Sequence, residues 1–238
     1  MTNTSDTCTL RGKESYHRRM DIIRPDEEGM RRALAILRSG GVLAHATETC
    51  YGLACNLANP DAVMKLFAIK RRPVTQPVSA LFPTIEEAKK YVLWNDRAEE
   101  LARQYLPGPL TLILPLRPDA TRHLYPVPPP ACPEPSRRAE EGARRAGGGT
   151  TLGIRISSHP VARQLAEQFG SPISTTSANV HSLPNPYDIA TIQAQFADSE
   201  QPDLILDSGT LPPTPPSTVI DLASGKIHRA GNISVQNP

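Results

Sequence analysis

Apolar residues recur at helical spacing after Asp26, with Met30, Leu34 and Leu37 on one face. Asp26 suits the N-cap, Glu27 and Glu28 suit the first turn, and Gly40-Gly41 suits the stop. A strand follows over 42–46 and runs into a polar turn, "HATETCYGLACN" over 45–56. Asn59-Pro60 opens a second helix whose face is Val63, Leu66, Phe67 and Lys70. Pro73 discourages helix at Arg72, and 78–82 reads as a strand. Thr84 with Glu87 forms a capping box for a helix reaching about Val92, and a further helix spans 96–105. "LPGPLTLILPL" then gives a turn and an apolar strand.

After 150 the alternation resumes. A strand is predicted over 151–156, a helix from Pro160 to before Gly170, a strand in "SPISTTSAN" and a short helix over 188–196. Three brief strands, "DLILD", "STVIDL" and "KIHRA", close the chain. The last strands are too close in sequence for helical crossovers. The pattern therefore predicts an α/β fold with a mixed parallel/antiparallel sheet and packed helices. Residues 1–20 lack periodicity and read as a flexible tail, leaving 21–238 as a single domain. The stretch 126–149 holds six prolines, four arginines and four glycines without a core pattern, and reads as an inserted mobile loop.

Composition changes this picture little. Hydrophobic residues make up 39% and proline occurs 25 times, both deviations due partly to 126–149. The formal net charge of +2 argues against a non-specific nucleic-acid coat and leaves room for a local basic pocket. Cys8, Cys50, Cys55 and Cys132 form no C-x-x-C pair, and no histidine cluster completes a zinc site, so the thiols read as buried or idle in a reducing compartment. With no 18-residue apolar run and a polar start, the sequence predicts a cytoplasmic protein without a membrane span.

Candidate chemistry lies where apolar strands end in small polar residues. Three stretches share that design: Thr47-Glu48-Thr49-Cys50-Tyr51, Ser174-Thr175-Thr176-Ser177-Ala178-Asn179 and Ser217-Thr218. Gathered at one sheet edge they would line a crevice for a polar small molecule. Taken singly, each reads first as an ordinary turn with local backbone bonding, and only the three together point to a crevice. Lys70, Arg72, Arg155 and Arg229 supply positive charge. Lys70 also suits a helix C-terminus as a plain surface cation. Arg155, between Ile154 and Ile156, faces away from both and needs an anionic partner. Phosphate loops of the usual kinds and the G-x-S-x-G elbow are absent. His45 and His159 read as structural.

"TETCYGL", the K-x-R pair of Lys70 and Arg72, "PGPLTLIL", "LGIRISSHPV", "STTSAN" and "STVIDL...HRAG" occur in the order seen in the threonylcarbamoyl-AMP synthases. Over about 26–234 the chain resembles the short single-domain form of that family. The resemblance implies a twisted mixed sheet around a deep basic cavity. It also implies a nucleotidyltransferase that joins L-threonine, bicarbonate and ATP, with Mg2+, into threonylcarbamoyl-AMP and pyrophosphate. A downstream threonylcarbamoyl transferase then modifies tRNA, and contact with tRNA is part of that expectation. By the same resemblance, Lys70 and Arg72 are catalytic. L-threonine falls to Thr47, Thr49, Tyr51, Arg155, Thr175 and Ser217. ATP falls to Lys70, Arg72, Thr151, Ser177, Asn179, Asn185 and Arg229. No magnesium ligand is assigned, and Glu48 is left between ordering magnesium and ordering the loop. The chain departs from the family pattern at Ala46 (usually Pro), at Leu81 or Phe82 (usually His), at Asn185 (usually Ser) and in lacking Gly after "SAN". Rival readings are an RNA-binding protein using the same cavity and a carbamoyl-transfer module. The latter would normally carry acylphosphatase-like and zinc-finger domains.

Overall fold

The structure is a computed structural model that describes residues 20–73, 78–120, 124 and 151–235. The predicted loop at 126–149, and all of the predicted tail except Met20, lie outside the described residues. Described elements begin β1 (Asp21–Ile23), α1 (Glu27–Arg38), β2 (Leu43–Ala46), β3 (Tyr51–Ala54), α2 (Pro60–Lys70), β4 (Ser79–Leu81), α3 (Ile85–Lys89) and α4 (Asp96–Tyr105). They continue β5 (Leu110–Pro115), β6 (Thr151–Arg155), α5 (Pro160–Phe169), β7 (Ile173–Ser177), α6 (Ile189–Phe196), β8 (Leu204–Leu206), β9 (Thr218–Asp221) and β10 (Ile227–Arg229).

Local chemistry explains most boundaries. Asp26 accepts from the Gly29 N–H at 2.9 Å, and Asn59 accepts from Asp61 and Ala62, so both cap as their side chains allow. His159 caps α5, and Gly170 ends it at φ 74°, a left-handed conformation that costs glycine little. Helix α3 stops at Lys89, short of the predicted Val92. There the chain leaves to pair with β5: Leu93 N–H donates to Pro115 O, and Val92 bridges Leu116.

The strands form one sheet in the order β1-β8-β2-β3-β7-β4-β6-β5-β9-β10. Pairs β1–β8, β2–β8, β4–β6 and β5–β9 are parallel, and the remainder are antiparallel. Side-chain alternation divides the sheet into two faces. Ala44, Ala46, Leu53, Ala80, Leu112, Ile154 and Ile220 point to one core, covered by apolar residues of α2, α3, α4 and α6. Leu43, Ala54, Leu81, Ile173, Leu204 and Leu206 point the other way, into a second core under α1 and α5. Those two helices cover one end of the second face. Farther along the same strands, the positions that continue the pattern are Ser79 on β4, Gly153 and Arg155 on β6, and Thr175 and Ser177 on β7. Aliphatics give way to hydroxyls and an arginine where the helical cover ends. Among the described residues no helix is long and apolar enough to cross a membrane.

Candidate active site

The uncovered part of the second face is the floor of a cavity of about 460 Å3. Its described lining includes Arg72, Arg155 and Arg229, and its single carboxylate is Asp221. The hairpin joining β2 to β3 forms one wall. Thr47 Oγ1 donates to Cys50 O at 2.7 Å and accepts from the N–H groups of Thr49 and Cys50, so it closes the turn in which it sits. Thr49 Oγ1 is 3.1 Å from Thr47 Oγ1 and accepts from Arg155 Nη2 at 3.1 Å.

Arg155 has its counter-ion inside the protein. Nη2 donates to Glu48 Oε1 at 2.6 Å, both side chains are largely buried, and Ser157 Oγ donates to the other carboxylate oxygen. Burial raises the Glu48 pKa, but the Arg155 charge and the Ser157 hydroxyl outweigh it and hold it below the usual value. The other oxygen of Glu48 thus ties the turn to the start of α5, since Ser157 Oγ also accepts from His159 N–H. Glu48 orders the hairpin and Arg155. Arg155 Nε is buried without a hydrogen-bond partner.

On the opposite side, Arg229 donates from Nε to Ser217 O and from Nη2 to Ser217 Oγ, both at 2.8 Å. Ser217 Oγ lies 3.1 Å from Thr111 Oγ1. Burial first, and then the Arg155 charge, lower the Arg229 pKa; burial lowers that of Arg72. Burial also raises the Cys50 thiol, against the pull of Arg155. The hollow therefore concentrates cations and hydroxyls, a setting for anions.

The structure brings Thr47, Thr49, Arg72, Thr151, Arg155, Thr175, Ser177, Asn185, Ser217 and Arg229 together around this one cavity. Three predicted residues do not line it. Tyr51 is fully buried, donates to Gly209 O at 2.7 Å and accepts from Ser208 N–H. Lys70 and Asn179 are buried behind the wall and bonded to one another at 3.1 Å. Sequence reasoning missed Ser79 and Thr111. Both were readable from alternation, since Thr111 breaks the apolar run between Leu110 and Leu112.

Fold and site together define an α/β protein whose half-covered sheet holds a cavity lined by three arginines and strand-end hydroxyls. A family model described as "Telomere recombination", Sua5_yciO_yrdC, matches residues 35–231. The chain belongs to that Sua5/YciO/YrdC family. It is 29% identical over 207 residues to the threonylcarbamoyl-AMP synthase of Klebsiella pneumoniae, covering 86% of this chain and 96% of that one. The crystal structure of P. abyssi Sua5 complexed with L-threonine is 29% identical, with a TM-score of 0.71 over 89% of this chain and 56% of that one. E. coli YciO is 25% identical, with a TM-score of 0.70 over 92% of this chain and 98% of that one. The chain thus spans just over half of the Sua5 structure and nearly all of YciO.

Proposed function

We propose that this cavity makes threonylcarbamoyl-AMP and pyrophosphate from L-threonine, bicarbonate and ATP. The observation that carries the reading is the convergence of Arg72, Arg155 and Arg229 with hydroxyls from three strand ends in one hollow. The threonine amine adds to bicarbonate, releasing water, and gives a carbamate. A carbamate oxygen attacks the α-phosphorus of ATP, and the bond to the bridging oxygen breaks as pyrophosphate leaves. Both reactants are anionic, so the protein's task is to neutralise and align them. Thr47, Thr49, Arg155, Thr175 and Ser217 surround the threonine. Arg72, Thr151, Ser177, Asn185 and Arg229 surround the nucleotide.

Among the described residues no group of three His, Cys, Asp or Glu could hold a metal ion. Among the described lining residues Asp221 is the one carboxylate, and it accepts from the N–H groups of Ala223 and Ser224 and from the Ser224 hydroxyl. Magnesium therefore arrives with the triphosphate, as part of the substrate. The product passes to a threonylcarbamoyl transferase acting on tRNA, and the reaction takes place in the cytoplasm.

The test supplies purified protein with ATP, magnesium, bicarbonate and each of the twenty amino acids, and measures pyrophosphate. Release stimulated by L-threonine is expected. Release indifferent to the amino acid, or tRNA affinity that falls steeply with salt and consumes no ATP, would sink the reading.

A further inference from the structure

We infer that Lys70 is a positioning residue that holds the Ser177–Asn179 turn from behind, and that the triphosphate meets the arginines instead. This inference rests on the nucleotide reading above. Lys70 is the last residue of α2 and only 4% exposed. An ammonium has three N–H donors and no acceptor. Nζ donates to Ser177 O at 2.5 Å, to Asn179 O at 2.9 Å and to Asn179 Oδ1 at 3.1 Å. Three donors meet three oxygens, all on one turn, and none is left for a phosphate. The backbone of Lys70 joins the same clasp, because its carbonyl accepts from His181 N–H at 2.8 Å.

The clasp sets chemistry at the wall through Asn179. That amide accepts from Ser177 Oγ at 2.6 Å through Oδ1 and donates through Nδ2 to Leu183 O. The Ser177 hydroxyl proton is thereby turned inward, so Ser177 offers the cavity lone pairs. It suits a donor on the nucleotide, such as a ribose hydroxyl or the adenine amine, and not a phosphate oxygen. Without Lys70, Ser177 O and Asn179 O lose their buried partner, and the Ser177 hydroxyl is free to rotate. Burial, reinforced by the charge of Arg72, draws the Lys70 pKa down to about 7, and the three oxygens on Nζ favour the charged form against that pull.

The experiment compares full-length wild type, Lys70→Met, Arg72→Met, Asn179→Ala and the Lys70→Met/Asn179→Ala double variant. Calorimetry gives affinities for magnesium-ATP and for AMP. Lys70→Met is expected to keep the wild-type ratio of the two affinities within about threefold, because no phosphate contact is lost, whereas Arg72→Met should lower that ratio at least about tenfold. In steady-state pyrophosphate release, Lys70→Met should lower kcat about tenfold or more with ATP KM changed less than about threefold. The double variant should be no worse than its poorer parent, since both act through one turn. Collapse of the ATP-to-AMP ratio in Lys70→Met, or losses that multiply in the double variant, would overturn the assignment. Should Lys70→Met fail to fold, Lys70→Gln keeps two N–H donors and undergoes the same ratio test. Wild type without threonine-dependent release defeats the proposed reaction alone, because the affinity ratio reads Lys70 without turnover.

Discussion

Glu48 shows how a single side chain decides what its neighbours can do. Its carboxylate fixes Arg155 and Ser157 at once, so the arginine waits in place and does not search for its anion. Preorganisation of this kind lowers the cost of aligning a charged substrate. His45 lies near by and is buried completely; its Nδ1 is 3.1 Å from Ala46 O and its Nε2 has no hydrogen-bond partner. Burial pushes its pKa from 6.5 down to about 4. In the folded chain the imidazole is therefore neutral between those values, while in the unfolded chain it binds a proton. Stability from this group is complete above pH 6.5 and is lost as the pH falls from 6.5 to 4. Each pH unit is worth about 1.4 kcal/mol, so up to about 3 kcal/mol is at stake. Glu48 adds to the acid limb below 4.5 with the same sign, because its folded pKa is depressed. His45→Phe should flatten the loss of urea-unfolding stability between pH 6.5 and 4.5. An unchanged slope in that window would show that another group titrates there.

At the level of elements, the site depends on loops that approach strands closely. Gly231 follows β10, and a Cβ there would come within 2.1 Å of Pro216 O and 2.6 Å of the Ser217 carbonyl carbon. Those atoms are backbone and cannot swing aside. Gly231→Ala should push the Ser217 segment, and with it the anchor of Arg229, out of register. We expect a threonine KM at least about tenfold higher, since sub-ångström misplacement of positioning groups is costly. Wild-type kinetics would mean that the loop absorbs the methyl elsewhere. Most elements were legible because capping and periodicity coincided: Asp26, Asn59 and Thr84 each accept from the N–H groups that their positions predict. Strands β1 and β3 were not. β1 has three residues, and its partner β8 follows some 180 positions later, so no local pattern marks it. β3 is buried at all four positions and shows no alternation, so the sequence pattern merges it with the polar turn. Within the site, hydroxyls at strand ends and the outward face of Arg155 were visible as patterns. That Glu48 would satisfy Arg155, and that Lys70 would be spent on backbone oxygens, depended on tertiary neighbours more than 100 positions away.

For the molecule as a whole, the lining matters more than any one contact. It draws on β3 through β7 and on β9 and β10, with positions from Thr47 to Arg229. A ligand filling the cavity would therefore meet residues from both halves of the sheet. A ligand confined to the folded state adds about 2.7 kcal/mol at one hundred times its Kd. Magnesium-ATP and L-threonine should each raise the single thermal transition, and together they should raise it further. The formal net charge is only +2 for the chain, so the attraction is local to the three arginines and should survive moderate salt better than long-range steering would. Separate subsites within one hollow make a sharper demand. Arg155→Ala should abolish most of the threonine shift and spare most of the ATP shift, and Arg72→Ala should do the reverse. Thermal melts of the two variants with each ligand alone decide the matter. If either substitution removes both shifts equally, the two ligands share one subsite, and the division of the cavity between amino acid and nucleotide fails.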